Sequence, residues 1–329
     1  RAFSFLDLNH SADNWFLQIE CFDPHEPFTA PNRFKEAYQT NHTGKILDWP
    51  VYEKVSNSPE EIAEIRANYA ALTAMCDEYF GKLLDWMDKT DAWKNTALIL
   101  TTDHGFLLGE HEWWGKNKMP YYEEISHIPL MIAHPSLGSN AGNRVASLTQ
   151  TTDLMPTILE FYGISKPTEV TAHSLVNLIF GGQDVRQAAI LGMFAGPICV
   201  TDGRYTFFKF PKDLNSDALP LYTVMPSHME NQFSIEELQS SELVAPFNFT
   251  KGAPVIRMKM SPKIGETGQQ CVSNWDGTSG LYDLKFDPGQ RSPIQHKRVE
   301  IRLSEMLVDQ LQMHDAPHEI YAHYGLEVR

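Results

Sequence analysis

No apolar run in this chain approaches the roughly 18 residues that a membrane-crossing helix needs, so no helical span is expected. Cysteine is scarce, four in 329 residues, and none stands in Cys-x-x-Cys spacing. That leaves neither a zinc motif nor a disulfide framework, and buried free thiols are the expectation. Positive charge is short as well: Lys and Arg number 27 against 42 Asp and Glu, a net charge of −15. Nucleic acid is therefore an unsuitable partner, because its binding rests on neutralising phosphates with Lys and Arg. An anionic small molecule would need a locally positive site set against an unfavourable overall field. Repeats and low-complexity tracts are absent, and no signal peptide is visible in a chain that opens at Arg1, which leaves the compartment open.

Hydrophobic residues at 42% and charged residues at 21% describe an ordinary globular chain, long enough to bury a core in one large domain or two. The aromatic and branched run Trp15–Phe22 reads as a strand stopped by Asp23-Pro24, with His25 just past its end. Residues 27–58 read as irregular surface. Ser58-Pro59-Glu60-Glu61 is a helix start, with Ser58 as cap, Pro59 in the first position and Glu61 closing a capping box. Apolar residues at Ile62, Ile65, Tyr69, Leu72, Cys76, Phe80, Leu83 and Met87 then mark one buried stripe ending near Lys89. This helix is expected to cover the sheet that carries Asp103.

That sheet is inferred from Ala97-Leu98-Ile99-Leu100, which runs into Thr101-Thr102-Asp103-His104-Gly105. An apolar run ending in polar residues reads as a buried parallel strand opening into a loop. Ligands in open α/β sheets bind outside the carboxyl ends of strands, so Asp103 and His104 stand where a metal or an anion is held. The plainer alternative is that they cap the next turn. Ile128–Ala133 reads as another buried strand, and Thr152–Tyr162 as a helix stopped by Gly163. Residues 171–180 carry a short helical run. Ala188–Met193, Ile198–Thr201, Tyr205–Phe210 and Leu281–Leu284 then form a smaller antiparallel sheet. Residues 211–279 give no assignment. Val299–Met313 is an amphipathic helix with Ile301, Met306, Leu307 and Leu311 as its packing face. Two domains are expected, 1–185 and 186–329.

The loop residues come in an ordered set: Thr101-Thr102-Asp103-His104-Gly105, Gly109-Glu110-His111, Trp114-Gly115-Lys116, Tyr122-Glu123-Glu124 and Ile128-Pro129-Leu130-Met131-Ile132. Upstream stands Phe22-Asp23-Pro24-His25-Glu26-Pro27-Phe28; downstream come Thr152–Leu159, Leu281-Tyr282-Asp283-Leu284 and Asp287-Pro288. In this order the blocks resemble the type I sulfatases of the alkaline phosphatase superfamily. The resemblance implies an α/β fold, a layered alkaline-phosphatase-like sheet flanked by helices, with a smaller C-terminal antiparallel sheet subdomain. Sulfatases use a nucleophile made from the Cys or Ser of a Cys/Ser-x-Pro/Ala-x-Arg segment, and none of the four cysteines here fits it. A pair of metal-binding aspartates from the family's first block also lacks a counterpart. The expectation is a carboxyl-terminal two-thirds of a sulfatase, inactive by itself.

Carried over by motif, Asp103 and His104 are the implied metal ligands, and Lys116 and His25 the catalytic pair. His25, Lys116 and His111 are the implied substrate contacts. The implied cofactor is a divalent metal, calcium first, with manganese or magnesium as alternatives; the His104 imidazole speaks for manganese. For Lys116 and its neighbour Lys118 the plainer reading is solvated loop charge, and for His25 a turn histidine held by Glu26. Trp113 and Trp114 could stack on a sugar or simply pack, while Asp283 and Asp287 belong to a structural turn. The implied partner is a sulfated small molecule or carbohydrate. Alternatives are a phosphonate monoester or phosphodiester hydrolase of the same superfamily, or a non-catalytic binding remnant. An exposed sheet edge would favour a homo-oligomer.

Overall fold

The computed structural model describes residues 1–117, 120–213, 219–229, 231–259 and 278–328. The expectation for Lys118 lies outside the described residues. The chain divides into two compact units: Arg1–Lys116 with Ile128–Gly142, and Asn117–His127 with Asn143–Arg329. The change from helix-rich to strand-rich sequence near residue 185 falls inside the second unit. Among the described residues, no helix is long and apolar enough to cross a membrane.

In the first unit the helix runs Pro59–Lys89, and its capping box forms as its sequence dictates. The Glu61 backbone N–H donates to Ser58 Oγ at 3.3 Å, and the Ser58 N–H donates to Glu61 Oε2 at 3.1 Å. Its buried face holds Ile65, Ala71 and Leu72 in one half and Trp86 and Met87 in the other. The first half packs on Phe28, Ala30, Phe34 and Trp114, the second on Leu6 and Ala92. The helix thus props the segment after His25 and the loop before Lys116, rather than chiefly the strand before Asp103. That strand is less buried than its composition suggests.

Four short strands follow: β1 (Leu98–Thr101), β2 (Leu107–Leu108), β3 (Trp114–Gly115) and β4 (Leu130–Ala133). β1 pairs antiparallel with β4, with Leu98 opposite Ala133 and Thr101 opposite Leu130. The buried parallel strand expected here is thus half-buried and antiparallel, and in β4 Met131 is 61% exposed. An apolar run signals burial but carries no information about the direction of its partner. The expected strand over Trp15–Phe22 does not form; Phe16 and Phe22 stay exposed, and β-propensity without a ladder partner does not make a strand.

In the second unit a turn at Thr151–Asp153 leads into the helix Leu154–Phe161. Gly163 ends it at φ +67°, and the Ile164 N–H closes back on the Leu159 carbonyl at 2.9 Å. β5 (Ala189–Gly192), β6 (Ile198–Thr201), β7 (Tyr205–Lys209) and a last strand at Gly280–Asp283 make the expected antiparallel sheet. The unassigned stretch holds a second sheet of β8 (Pro220–Thr223), β9 (Glu242–Val244) and β10 (Val255–Lys259), with β10 central. The helix Lys297–Met313 buries Val299, Leu303, Leu307, Val308 and Leu311 against Val200, Phe207 and Leu281. Ile301, expected in that face, is exposed, because the face follows the i, i+4 row through Leu303 and Leu307.

Candidate active site

Lys116 and His25, 91 residues apart, meet at 2.6 Å between Nζ and Nε2. Their meeting is a product of backbone pairing. β3 pairs with β2 on one side, and on the other the Trp114 N–H donates to the Glu53 carbonyl at 2.9 Å. That second pairing lays Tyr52 against Gly115, whose φ of +122° and missing side chain let the Tyr52 ring approach. Tyr52 in turn donates its hydroxyl to Glu26, the residue after His25. Phe106 packs edge-on against both Tyr52 and Phe28. The cluster Glu26–Tyr52–His25–Lys116 is therefore held by packed aromatic rings.

Protonation follows from the partners. His25 Nδ1 lies 2.7 Å from the Glu26 carbonyl oxygen, which can only accept, so a neutral His25 carries its hydrogen on Nδ1. Nε2 then offers a lone pair, and the Lys116 ammonium donates to it. The Glu26 carboxylate is 3.4 Å from Lys116 Nζ, and its side chain is 3% exposed against 13% for Lys116. Burial works to raise the Glu26 pKa. The Tyr52 hydroxyl, its own backbone N–H, Lys116 and His25 outweigh that and hold it below the ordinary value, so it is ionised at neutral pH. The same carboxylate pushes the Tyr52 phenol up, after burial as the first cause.

Asp103 and His104 follow β1 in a loop of their own. Asp103 Oδ1 accepts from the His104 backbone N–H at 2.9 Å and from the Thr102 hydroxyl at 3.2 Å. Burial raises the Asp103 pKa, but His104 and these donors outweigh it and leave the carboxyl below its usual range. His104 Nδ1 lies 2.9 Å from the Gly105 carbonyl, which turns Nε2 toward Asp103 Oδ2 at 3.4 Å. The Asp103 side chain is 82% exposed. A spacing near 3.4 Å suits adjacent ligands of one cation, which stand about 3.3 Å apart around a calcium-sized ion. The pair fits as two ligands of a larger shell. Among the described residues no group of three or more His, Cys, Asp or Glu is placed to hold a metal.

Among the described residues, no hydrogen bond or ion pair joins Asp103 or His104 to Lys116 or His25. The structure thus brings together His25 with Lys116, and Asp103 with His104, as two separate pairs. His111 lies on a left-handed turn at φ 53°, between the hairpin strands β2 and β3. Glu110 is committed to that hairpin, accepting from the Leu108 N–H at 2.6 Å. Trp113 and Trp114 are buried packing residues, with Trp114 Nε1 donating to Asn57 at 2.9 Å. Asp283 and Asp287 do form a turn, Asp283 also pairing with Arg204. Sequence reading missed Tyr52 entirely and gave Glu26 no more than the role of holding a histidine.

Comparison with known proteins decides the family. Residues 1–164 match the family described as Sulfatase, and residues 109–242 match the one described as N-sulphoglucosamine sulphohydrolase, C-terminal. The chain belongs to the sulfatase family. The N-acetylglucosamine-6-O-sulfatase of Bacteroides thetaiotaomicron is 36% identical to this chain over 108 residues, 33% of the chain and 19% of that protein. Arylsulfatase K of Mus musculus is 32% identical over 158 residues, 48% of the chain and 26% of that protein. The matched stretches thus span about a fifth to a quarter of these curated relatives. A solved phosphonate monoester hydrolase of Agrobacterium radiobacter superposes with a TM-score of 0.61 at 18% identity, over 95% of this chain and 60% of that one. The chain therefore has the α/β, alkaline-phosphatase-like fold.

Proposed function

We propose that this chain contributes the substrate-holding part of a site that hydrolyses sulfate monoesters, on a sulfated carbohydrate. The observation that carries the reading is the Lys116–His25 pair, 2.6 Å apart, at the two positions where the family motif puts its sulfate contacts. Hydrolysis loads negative charge on the sulfuryl oxygens and on the leaving oxygen. In the resting pair Lys116 is the donor and His25 Nε2 the acceptor. Lys116 therefore holds the proton available to the leaving oxygen, and its charge faces the sulfuryl group. His25 steadies that ammonium through its Nε2 lone pair, and donates to a substrate oxygen only once that nitrogen carries a proton. His111, on its turn, is a further substrate contact.

Asp103 and His104 would hold a divalent cation in part, and calcium, manganese and magnesium are the candidates. When bound, such an ion supplies Lewis-acid charge at the sulfuryl oxygens. Cys21, Cys76, Cys199 and Cys271 all lie outside a Cys/Ser-x-Pro/Ala-x-Arg segment, so the chain by itself is expected to show no turnover. The carbohydrate assignment is supported by the N-acetylglucosamine-6-O-sulfatase relative. The test is a paired assay of the full gene product on sulfate, phosphate and phosphonate monoesters of one leaving group. Preference for the sulfate ester, lost in Lys116→Ala, supports the reading. Preference for the phosphonate would move the chain to the neighbouring hydrolases, and no turnover on any ester would leave a binding remnant.

A further inference from the structure

Glu26 stands where an anion site would not be expected to place a carboxylate. It is buried, ionised and 3.4 Å from the ammonium that the reading above assigns to sulfate. Sulfate and carboxylate both present anionic oxygens to an N–H donor, so each weakens the hold of the other on a single ammonium. Lys116 has no other anionic partner among the described residues. Glu26 cannot readily yield, because the Tyr52 hydroxyl grips the same Oε1 that faces Lys116, and Tyr52 is wedged between Gly115 and Phe106. Solvent is nearly excluded from the carboxylate, so its field at Nζ is little screened.

We propose that Glu26 is the internal counter-ion of Lys116, a positioning residue that holds the ammonium beside His25 when no anion is present and lowers the affinity of the site for free sulfate. The proposal deepens the functional reading and rests on its assignment of Lys116. It gives the site a means of release: free sulfate leaves as the carboxylate reclaims the ammonium. A bound ester is held in addition through its leaving group, so the penalty falls hardest on the inorganic product.

The test is a calorimetric titration of the chain with inorganic sulfate at fixed ionic strength, with thermal melts to confirm folding. Glu26→Gln keeps the shape and removes the charge, and should bind sulfate about tenfold more tightly, the size of a one-unit change in interaction with a charge. Glu26→Asp keeps the charge and should stay within about threefold of the parent, on the scale of a weak ion-pair change. Adding Lys116→Ala to Glu26→Gln should abolish the gain. A structural role alone would weaken binding in every variant. Folded Glu26→Gln that binds sulfate equally or less tightly, with parent binding still dependent on Lys116, overturns the proposal and leaves the functional reading intact. Sulfate binding that never depends on Lys116 overturns both. Should Glu26→Gln not fold, Tyr52→Phe frees the carboxylate to lean on Lys116 and should weaken sulfate binding; tighter or unchanged binding would contradict the proposal.

Discussion

Gly115 faces the Tyr52 ring so closely that a Cβ built on it would sit 2.9 Å from Tyr52 Cγ and 3.2 Å from its Cβ. The contact couples the loop that carries Lys116 to the tyrosine that holds Glu26. Gly115→Ala meets two penalties, a φ of +122° that L-residues avoid and an overlap with a packed ring. The expected loss is about 2–4 kcal/mol. Urea unfolding would measure it, and a loss within error of zero would show that Tyr52 can move aside.

A second expectation concerns Asp153, which is fully buried and accepts from the backbone N–H groups of Gln150 and His173 and from both terminal nitrogens of Arg186. Burial raises its pKa, but Arg186 and the backbone donors outweigh this and hold it below the ordinary carboxylate value. A depressed folded-state pKa stabilises the fold above the unfolded value and loses that contribution as pH falls through the folded one. Stability should therefore drop on acidification below about pH 4. Arg186→Ala, leaving the carboxylate buried and unpaired, should cost about 3–5 kcal/mol at pH 7. Denaturant unfolding of both forms across pH 3–7 (ordinary carboxylate range) checks the sign and the size.

The cation pair makes a third. Two ligands with an open outer side should bind calcium, magnesium or manganese weakly in this chain, with Kd in about the 10⁻⁴–10⁻³ M range of the weakest calcium sites. Asp103→Ala should abolish that binding. His104→Asn should weaken manganese more than calcium, because imidazole favours transition metals. Calorimetry with each ion reads both effects; micromolar binding in Asp103→Ala would place the ion elsewhere.

Association is a fourth. Among the described residues β1 and β4 pair only with each other, so each keeps an outer edge without a strand beside it. The chain should therefore self-associate as its concentration rises. Light scattering that shows a monodisperse monomer throughout would contradict this.

The features legible in the sequence were those written in neighbouring residues. Ser58, Pro59 and Glu61 announce the long helix because a cap is satisfied within four positions. The strands at Ala189–Gly192, Ile198–Thr201 and Tyr205–Lys209 are bounded by turn residues such as Asp202-Gly203, which accept no continuation of the ladder. Features that depend on a distant partner were not legible. Trp15–Phe22 has the composition of a strand but joins no sheet among the described residues, and β1 has the composition of a buried parallel strand but a half-buried antiparallel partner. Motifs name His25, Lys116, Asp103 and His104 as candidates, and the structure sets His25 beside Lys116 and His104 beside Asp103. No motif names Tyr52, because its place depends on the pairing of residues 53–55 with residues 112–114, which leaves no local signature.

The central claim is that Lys116 and His25 receive the sulfuryl group, and a crystal structure of the chain grown or soaked with sulfate tests it most directly. A sulfate oxygen is expected within hydrogen-bonding reach of Lys116 Nζ, at the side of the pair away from Glu26, and within reach of His25 Nε2 only where that nitrogen carries a proton. Sulfate bound elsewhere, with Lys116 still closed on His25 and Glu26, would contradict it.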